Sequence, residues 1–575
     1  MWDDVKIVFR LRLLPWTLGC SFWTSCSTQE EKAPEPQAPV MHFVDIAEQA
    51  GLKVKNVCGN LEKKYIVEAK GGGMASFDYD NDGDLDLYVI NGSKLEGFAA
   101  GQEPRNALYR NEGDGSFVDV AEEAGVADTS WGMGCVAADY DNDGDADLYI
   151  ANFGRNRFYR NEGNGRFVDV AEEAGVADER MSTGCAFGDY DRDGFLDLYV
   201  ANYIHFDMNY QPVSVDAGMW RGIKVFYGPR GLKGAADVLF HNQGDGTFKD
   251  VTEEAGVVDG DKRYGFAVLF LDFDDDGDAD IFVANDSGKN MLYQNEGNGR
   301  FSDVAVERGV AFRGNGGAQA CMGAAFGDYD NDGDFDLYVT NFAEDYNTLY
   351  QNDGKGFFVD VTSLARVLYS TWKQVGWGAG FADLDNDGRV DIFVANGHVY
   401  HQIDQFDRGS SYAQRNIVFW NRGDDTFADV SAAAGPGLEV EKVSRGASLG
   451  DFDNDGDIDI VVLNLNDTPT FLRNDTQHGN HWLSIRTRGS QSNRDGIGAR
   501  LRVTIGSQVQ VREIHAGANF ISQDDIRAHF GLGQAERVER LEVQWPSGVV
   551  DIIEGVPVDR FVVVREGEGV VGNGW

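Results

Sequence analysis

Short runs of alternating apolar and polar residues recur along most of the chain, separated by glycine, aspartate and asparagine. The run 148–152, Leu-Tyr-Ile-Ala-Asn, is typical. A period of two between clusters of turn residues predicts β-strands rather than helices. Stretches of the form Asn-x-Gly-x-Gly, as at 161–165, predict hairpin turns that need positive φ angles. The pattern therefore predicts an all-β protein.

The sequence D-x-D-x-D-G-x-x-D organises these strands into a repeat. It occurs seven times, starting at Asp78, Asp139, Asp189, Asp272, Asp328, Asp383 and Asp451. A Gly- and Ala-rich run precedes each copy. An alternating run, a second short run that ends in Asn, a turn and a further extended segment follow it. Four short strands, A to D, repeated seven times predict a seven-bladed β-propeller over residues 42–475.

The two ends of this region predict how the ring closes. A type D strand, 43–46, comes before the first Asp-rich loop, whereas the last unit stops after its C strand, at 471–474. We expect the N-terminal strand to complete the last blade, because closure removes exposed strand edges that invite aggregation.

The Asp-rich loops predict calcium sites. Carboxylates at loop positions 1, 3 and 5 converge when the chain turns at the position-6 glycine, and position 9 adds a fourth carboxylate. The position-7 residue would contribute its backbone carbonyl. Hard oxygen ligands in this number suit Ca²⁺ better than Mg²⁺ or softer metals. The predicted ligand residues are, loop by loop, Asp78, Asp80, Asp82, Asp84 and Asp86; Asp139, Asp141, Asp143, Asp145 and Asp147; Asp189, Asp191, Asp193, Phe195 and Asp197; Asp272, Asp274, Asp276, Asp278 and Asp280; Asp328, Asp330, Asp332, Asp334 and Asp336; Asp383, Asp385, Asp387, Arg389 and Asp391; Asp451, Asp453, Asp455, Asp457 and Asp459.

An EF-hand is the rival interpretation of these loops. It requires a bidentate Glu at position 12. Here position 12 is always a β-branched apolar residue, such as Val89 or Ile150, so the chain is already inside a strand. The loops therefore predict up to seven structural Ca²⁺ ions, and a sensing role remains an alternative.

The net charge of the chain limits the classes of partner that it can bind. The 575 residues include 50 Lys plus Arg and 95 Asp plus Glu, a net charge of −45. Such an excess disfavours nucleic acid as a partner, and also docking on anionic lipid. Two carboxylates ~5 Å apart repel by roughly 3 kcal/mol at an effective dielectric near 20, so four in one loop favour a bound cation.

The N-terminus predicts export. Lys6, Arg10 and Arg12 precede an apolar stretch at 13–23, which predicts a signal peptide over 1–26 and a polar tether over 27–41. Cys26 is the candidate site for a lipid anchor, with Cys20 as a competitor; simple secretion is the alternative. The predicted location is extracellular, periplasmic or anchored to the outer membrane. No later stretch reaches the ~18 apolar residues of a membrane span.

Residues 479–566 predict a second, smaller β domain of sandwich-like type, followed by a tail at 567–575. Its 11 Arg match 11 Asp plus Glu, so the acidity belongs to the propeller. Two interpretations of its arginines are open: they dock on the acidic loops, or they are ordinary exposed strand residues. The candidates for docking are Arg486, Arg488, Arg500, Arg502 and Arg512.

These motifs resemble known families. The loops, with lead-ins such as Ala186-Phe187-Gly188, resemble FG-GAP/VCBS repeats of integrin α-like propellers. The segments 496–500, 529–533 and 545–548 look like the ASPIC/UnbV domain. The pair of domains is similar to the cartilage acidic protein family, and that resemblance implies calcium binding and extracellular adhesion or matrix roles.

Two long B–C connections, 203–237 and 397–416, are the candidates for partner recognition, because long aromatic loops on a rigid scaffold suit binding. Covering the channel is the alternative role. They contain Phe206, Tyr210, Trp220, Phe226, Tyr227, Tyr400, Phe406 and Tyr412. The expected partner is a protein or a glycan.

No G-x-S-x-G, HExxH or P-loop sequence is present, so a non-catalytic adhesion, scaffold or ligand-binding module is predicted. The runner-up is an envelope enzyme or metal-handling protein that uses His398 and His401.

Overall fold

The computed structural model describes residues 38, 40–210 and 218–573. The predicted signal peptide, Cys26 and most of the predicted tether lie outside the described residues. Within them, none of the helices has the length and apolar character needed to span a membrane.

Four-stranded antiparallel sheets form most of the structure, as the periodicity predicted, and the all-β propeller fold class is confirmed. Strand β1 (Phe43–Asp45) comes first. The strands of the first three sheets, called blades 1 to 3, are β2 (Met74–Phe77), β3 (Asp86–Val89), β4 (Ala107–Asn111) and β5 (Phe117–Asp119); β6 (Trp131–Ala138), β7 (Asp147–Phe153), β8 (Arg157–Asn161) and β9 (Phe167–Asp169); β10 (Ser182–Gly188), β11 (Asp197–Asn202), the separate hairpin β12 (Met219–Trp220) and β13 (Ile223–Lys224), then β14 (Val238–Asn242) and β15 (Phe248–Asp250).

Four further sheets of the same kind follow. The strands of blades 4 to 7 are β16 (Gly265–Leu271), β17 (Asp280–Asn285), β18 (Met291–Asn295) and β19 (Phe301–Asp303); β20 (Cys321–Gly327), β21 (Asp336–Asn341), β22 (Thr348–Asn352) and β23 (Phe358–Asp360); β24 (Gly376–Ala382), β25 (Asp391–Asn396), the short β26 (Gln414–Arg415), then β27 (Ile417–Asn421) and β28 (Phe427–Asp429); the short β29 (Glu441–Lys442), which pairs with β26, then β30 (Ser444–Gly450), β31 (Asp459–Asn464) and β32 (Thr470–Asn474). In blade 7 the outermost strand is β1, which pairs antiparallel with β32 through Val44 opposite Arg473.

Single turns of helix connect most blades. They are α1 (Ala47–Ala50), α2 (Ala121–Ala124), α3 (Ala171–Ala174), α4 (Thr252–Ala255), α5 (Ala305–Arg308) and α6 (Leu368–Thr371), with 3₁₀ turns at Ile66–Ala69, His401–Gln405, Ser431–Ala433 and Pro436–Glu439. In α2, the Asp119 carboxylate accepts a hydrogen bond from the Ala121 N–H, and Gly125 ends the helix at φ 82°. A left-handed residue at that point favours glycine.

A recurring asparagine joins each blade to its neighbour. In blade 2, the Asn161 side chain donates hydrogen bonds to the carbonyls of Ala146, in its own Asp-rich loop, and Tyr79, in the loop of blade 1. The same bond joins blades 3 to 7 to the blade before each of them, and Asn111 of blade 1 donates to Phe452 of blade 7. The seven sheets of the described residues therefore form a closed ring.

Glycines let the innermost strands approach closely. A Cβ on Gly184 of blade 3 would overlap the Phe266 carbonyl of blade 4, and one on Gly323 would overlap the Trp377 carbonyl. The Gly- and Ala-rich lead-in to each loop is thus a consequence of packing around the channel.

The C-terminal region forms two more four-stranded sheets packed face to face, the sandwich-like domain that was predicted. Its strands are β33 (His481–Arg488), β34 (Arg500–Ile505), β35 (Gln508–Glu513), β36 (Ala528–Gly533), β37 (Arg537–Gln544), β38 (Val550–Pro557), β39 (Arg560–Arg565) and β40 (Gly569–Asn573). The sheet orders are β36-β33-β39-β40 and β35-β34-β37-β38. Leu501, Leu541 and Trp545 are buried in the core of this domain.

Candidate functional site

Each Asp-rich loop is a tight turn between strands A and B of its blade. In the first loop, the Asp78 carboxylate accepts hydrogen bonds from the N–H groups of Asp82 and Gly83, at 3.1 Å each. Gly83 adopts φ 94°, and Asn81, at position 4, adopts φ 59°. All seven loops have a left-handed residue at position 4, a requirement that the sequence analysis missed although five of the seven are asparagine.

The position-9 aspartate fixes the loop to the blade. Asp86 is fully buried; it accepts hydrogen bonds from the Tyr79 N–H at 3.0 Å and from the Asn111 N–H at 2.8 Å. The side chain of Asn111 also donates the hydrogen bond that joins blade 1 to blade 7. We call Asn111 and its counterparts in the other blades the latch asparagines, because each links the carboxylate cluster of its blade to the neighbouring blade. The sequence showed this asparagine at a fixed position but not what it does.

Carboxylate oxygens converge in these loops as the spacing predicted. Oxygens of Asp78, Asp80 and Asp82 lie within 4.8 Å of one another, as do those of Asp139, Asp141 and Asp147. The same holds for the groups Asp189, Asp191, Asp197 and Asp272, Asp274, Asp276.

Burial and mutual repulsion make these carboxylates hard to ionise without a counter-ion. Burial raises the pKa of Asp86 to about 9, with Asp80 and Asp78 adding to the effect. Burial likewise raises the pKa of Asp139 to about 8. In blade 4, Asp274 Oδ1 is buried without a hydrogen-bond partner among the described residues. A cation would satisfy that oxygen and offset the repulsion, so the donor set fits a hard divalent ion.

The third loop differs from the others. Phe195 stands at its position 7, and His241 Nδ1 lies 3.0 Å from Asp197 Oδ1 and 3.6 Å from Asp191 Oδ2. The hydrogen bond with Asp197 raises the pKa of His241 to about 8. His241, which directly precedes the latch asparagine Asn242, therefore adds a positive charge that offsets part of the negative charge of this loop.

The C-terminal domain lies on the Asp-rich loops, which selects the docking interpretation for part of the predicted arginine set. Arg486 Nη1 lies 3.5 Å from Asp78 Oδ2, and Arg500 Nη1 lies 2.7 Å from Asp275 Oδ1. Arg502 Nη2 lies 3.7 Å from Asp275 Oδ2. Exposed strand residues would not make these contacts.

The other arginines behave differently. Arg512 is enclosed, and burial lowers its pKa while Asp383 and Asp328 oppose that shift. Burial and then Arg486 lower the pKa of Arg488, while Asp78 of the first loop opposes that shift. Arg527, which the sequence analysis did not single out, donates to the Asp451 carbonyl at 2.7 Å.

A loop of the C-terminal domain fills the central channel of the propeller. We call residues 514–527, between β35 and β36, the plug. Asn519 exchanges backbone hydrogen bonds with Ala324 of blade 5, and its side chain accepts from the Ala379 N–H of blade 6 at 2.7 Å. At its tip, the fully buried Phe520 packs on Trp377 and Phe266, with ring centroids 4.8 and 5.4 Å apart. Nothing in the sequence pattern indicated this insertion.

The two long B–C connections pack together on the opposite face. Ile223 and Val225 from the first and Ile403 from the second form a small buried cluster with Trp220 and Tyr400. Tyr210 and Phe406 remain exposed, at 52% and 41%. The predicted aromatic surface is thus partly a packed layer and partly open to solvent.

The two histidines of the H-x-x-H segment differ. His398 is fully buried among Trp220, Phe342 and Tyr400, and its Nδ1 accepts the Tyr400 N–H at 3.0 Å. Burial lowers its pKa to about 4, so it is neutral. His401 packs on Tyr412.

The chain matches the FG-GAP-like repeat family at 78–150, 139–200, 226–283, 272–339, 336–394 and 408–484, and the ASPIC and UnbV family at 489–571. It is similar to cartilage acidic protein 1 of Mus musculus, 30% identical over 310 residues that cover 52% of this chain and 44% of that protein. The Homo sapiens protein is 30% identical over 312 residues, 52% of this chain and 43% of that protein. The matches thus span less than half of these relatives.

Among solved structures, YCF48 bound to D1 peptide resembles the chain with a TM-score of 0.40 and 8% identity, covering 78% of this chain and 100% of that one. A likeness this weak supports no argument about fold or function. The family matches are specific: the chain belongs to the FG-GAP repeat family, carries a C-terminal ASPIC and UnbV domain, and is related to cartilage acidic protein 1.

Proposed function

We propose that this protein is an exported, calcium-binding propeller that acts as a non-catalytic adhesion, scaffold or ligand-binding module. The observation that carries the proposal is the repeated convergence of carboxylate oxygens in the Asp-rich loops, each of which has a buried aspartate at position 9. Those loops support a stabilising role for the ion, and the opposite face supports the binding role.

The calcium ions would be held by the position 1, 3, 5 and 9 carboxylates and the position-7 carbonyl. In the first loop these are Asp78, Asp80, Asp82, Asp86 and the carbonyl of Asp84. The backbone bonds to Asp78 and Asp86 do not exclude this, because a carboxylate offers about four lone-pair sites. The bound ion would supply the positive charge that the loops lack. Because it binds folded loops better than unfolded chain, it would stabilise the blades.

Partner binding is assigned to the face opposite the Asp-rich loops. The C-terminal domain covers part of the loop face, and the plug fills the channel from that side. The long connections carry exposed aromatic side chains on a rigid ring, a combination that favours recognition. The net charge of −45 disfavours nucleic acid, so the proposed partner is a protein or a glycan.

The alternative, an enzyme or metal-handling site at His398 and His401, has less support. His398 is buried, neutral and surrounded by aromatic rings, and Tyr400 N–H occupies its Nδ1. A histidine that binds a metal ion presents one ring nitrogen to the ion and donates its other ring N–H to a carboxylate or carbonyl oxygen. His398 therefore acts as a packing residue of the long connections.

The export proposal rests on the N-terminal sequence. Cys26 as the anchor would leave the mature chain membrane-bound through lipid alone. Mass spectrometry of the protein isolated from its native envelope distinguishes a lipidated Cys26 from simple cleavage and from an unprocessed chain.

Calorimetry after chelation tests the calcium proposal. Protein stripped with EDTA should melt at a lower temperature, and added Ca²⁺ should restore the original value, since a site at 100 times its Kd contributes about 2.7 kcal/mol. Mg²⁺ at equal concentration is the control and should restore less. Identical melting with and without Ca²⁺ would contradict the proposal.

A further inference from the structure

A deep cavity opens on the face opposite the Asp-rich loops. Its volume is about 490 Å³, within the ~300–1,000 Å³ of small-ligand pockets. We call it the channel cavity, because Trp377 and Lys70 in its lining belong to the end of the central channel. Trp377 also packs on Phe520, so the tip of the plug supports the cavity lining from below.

The walls of the channel cavity are aromatic. Trp220, Phe226 and Tyr227 come from the first long connection, Phe342 from blade 5, and Tyr400 from the second long connection. Trp220 and Tyr400 lie 6.0 Å apart at a 40° tilt, and Phe226 meets Tyr400 edge-on at 4.9 Å. Such rings offer flat apolar faces to a ring-shaped ligand.

Charged groups of both signs lie among these rings, and each acidic group is paired with a basic one. Lys70 Nζ lies 3.4 Å from Asp286 Oδ2, which also accepts the Tyr203 hydroxyl at 2.7 Å. Ser287 donates to the other oxygen of Asp286. These groups present donors and acceptors side by side in the cavity lining.

The second carboxylate of the lining is paired as well. Asp345 accepts from Arg313 Nη1 at 3.0 Å and from the Ala320 N–H at 3.1 Å. Both carboxylates of the lining, Asp286 and Asp345, are therefore already paired with a cation of the protein, and neither is free to pair with a cationic ligand. The lining contains two cations, Lys70 and Arg230, and two carboxylates, so its formal charges balance. Balanced charges beside aromatic walls favour a neutral molecule with apolar faces and many hydroxyls.

We propose that the channel cavity binds a neutral saccharide, with one sugar ring against the aromatic walls and hydroxyls bonded to the Lys70–Asp286 pair. Vicinal hydroxyls each donate and accept, which matches adjacent ammonium and carboxylate groups. A second cavity, of about 620 Å³, shares Ile66, Phe226 and Tyr227 with the first and gives further sugar units a path outward. The inference rests on the proposed function, of which it specifies the ligand class.

The test applies the full-length, calcium-loaded protein to an array of immobilised neutral, sialylated and sulfated oligosaccharides, with a peptide array in parallel. Neutral oligosaccharides should bind, and titration calorimetry with the strongest one gives its Kd. Trp220→Ala should weaken that binding roughly tenfold or more, as expected for removal of a central aromatic contact. Tyr369→Ala, at an aromatic residue 86% exposed outside the cavity, is the matched control and should leave the Kd unchanged.

Tyr227→Ala provides a second cavity variant should Trp220→Ala fail to fold by circular dichroism. Absence of binding to any neutral glycan overturns the inference, and so does binding that neither cavity variant weakens. Binding to peptides alone also overturns it, while ligand binding as such would stand. Calcium uptake measured on the same sample separates these failures from failure of the calcium proposal.

Discussion

Replacing Phe520 with alanine tests whether the C-terminal domain really fills the propeller channel. The Phe520 side chain is 0% exposed and belongs to one buried cluster with Trp377, Phe266 and Ile521. Neighbouring residues of the plug are bonded to the innermost strands of four blades, so the backbone cannot easily move to refill the space.

The expected cost follows from this burial. Full burial of a Phe side chain contributes about 1.5–3 kcal/mol by transfer from water, and the unfilled cavity raises the cost of Phe→Ala to about 3–5 kcal/mol. The two edge-on ring contacts with Trp377 and Phe266 add to the loss. We therefore expect Phe520→Ala to lower the free energy of unfolding by about 4 kcal/mol.

Urea denaturation followed by tryptophan fluorescence measures this value. Phe357→Ala is the matched control: the same change at a site 42% exposed, where Phe357 stacks on Arg308, should cost under about 1 kcal/mol. A cost for Phe520→Ala as small as that of the control would mean that the tip is not buried in the channel, and would refute the plug.

Three further expectations concern charged groups. Asp86→Asn should remove about one equivalent of bound Ca²⁺ by calorimetric titration, whereas Asp114→Asn, at an exposed turn residue, should not change the count. In EDTA, the melting temperature should fall as the pH rises from about 4 to about 9. Burial raises the pKa of Asp86 from its ordinary 3.8 to about 9 in the folded state, so the proton-linked stability present at low pH is lost across that window. Ca²⁺ should abolish this decline. Glu566→Gln should destabilise the C-terminal domain by about 2 kcal/mol in urea melts, because Glu566 accepts N–H bonds from residues 490–492 at 2.6–2.9 Å.

The repeat and the positions of the turn glycines and carboxylates in the loops could be predicted, because each depends only on residues that are close together in the sequence. The position-6 glycines and the position-9 aspartates occupy the places that the spacing required. The pairing of β1 with β32 could be predicted by counting strands, since one D strand was surplus at the start and one was missing at the end. The ligand set itself stays a prediction until an ion is measured.

Contacts between distant segments could not be predicted. In the sequence the plug resembles an ordinary connection, because its apolar residues, Phe520 and Ile521 among them, are mixed with polar ones without a strand or helix period. Their role depends on the channel that surrounds them. The latch asparagines stood at a fixed position, yet their partners are carbonyls in another blade. The arginines show the same limit: Arg486, Arg500 and Arg502 of the predicted set contact loop aspartates, but Arg527, which was not in the set, also reaches a loop carbonyl.

Counting the tightly bound calcium ions per chain is the strongest test of the calcium sites proposed in the Asp-rich loops. Protein stripped with EDTA is dialysed to equilibrium against radioactive ⁴⁵Ca²⁺ and the bound ion is counted per chain. We expect several ions to bind, up to one for each of the seven loops, and Asp86→Asn to lower the count by about one. A folded chain that retains no calcium at millimolar concentrations would contradict this expectation, because the buried carboxylates would then need another source of positive charge.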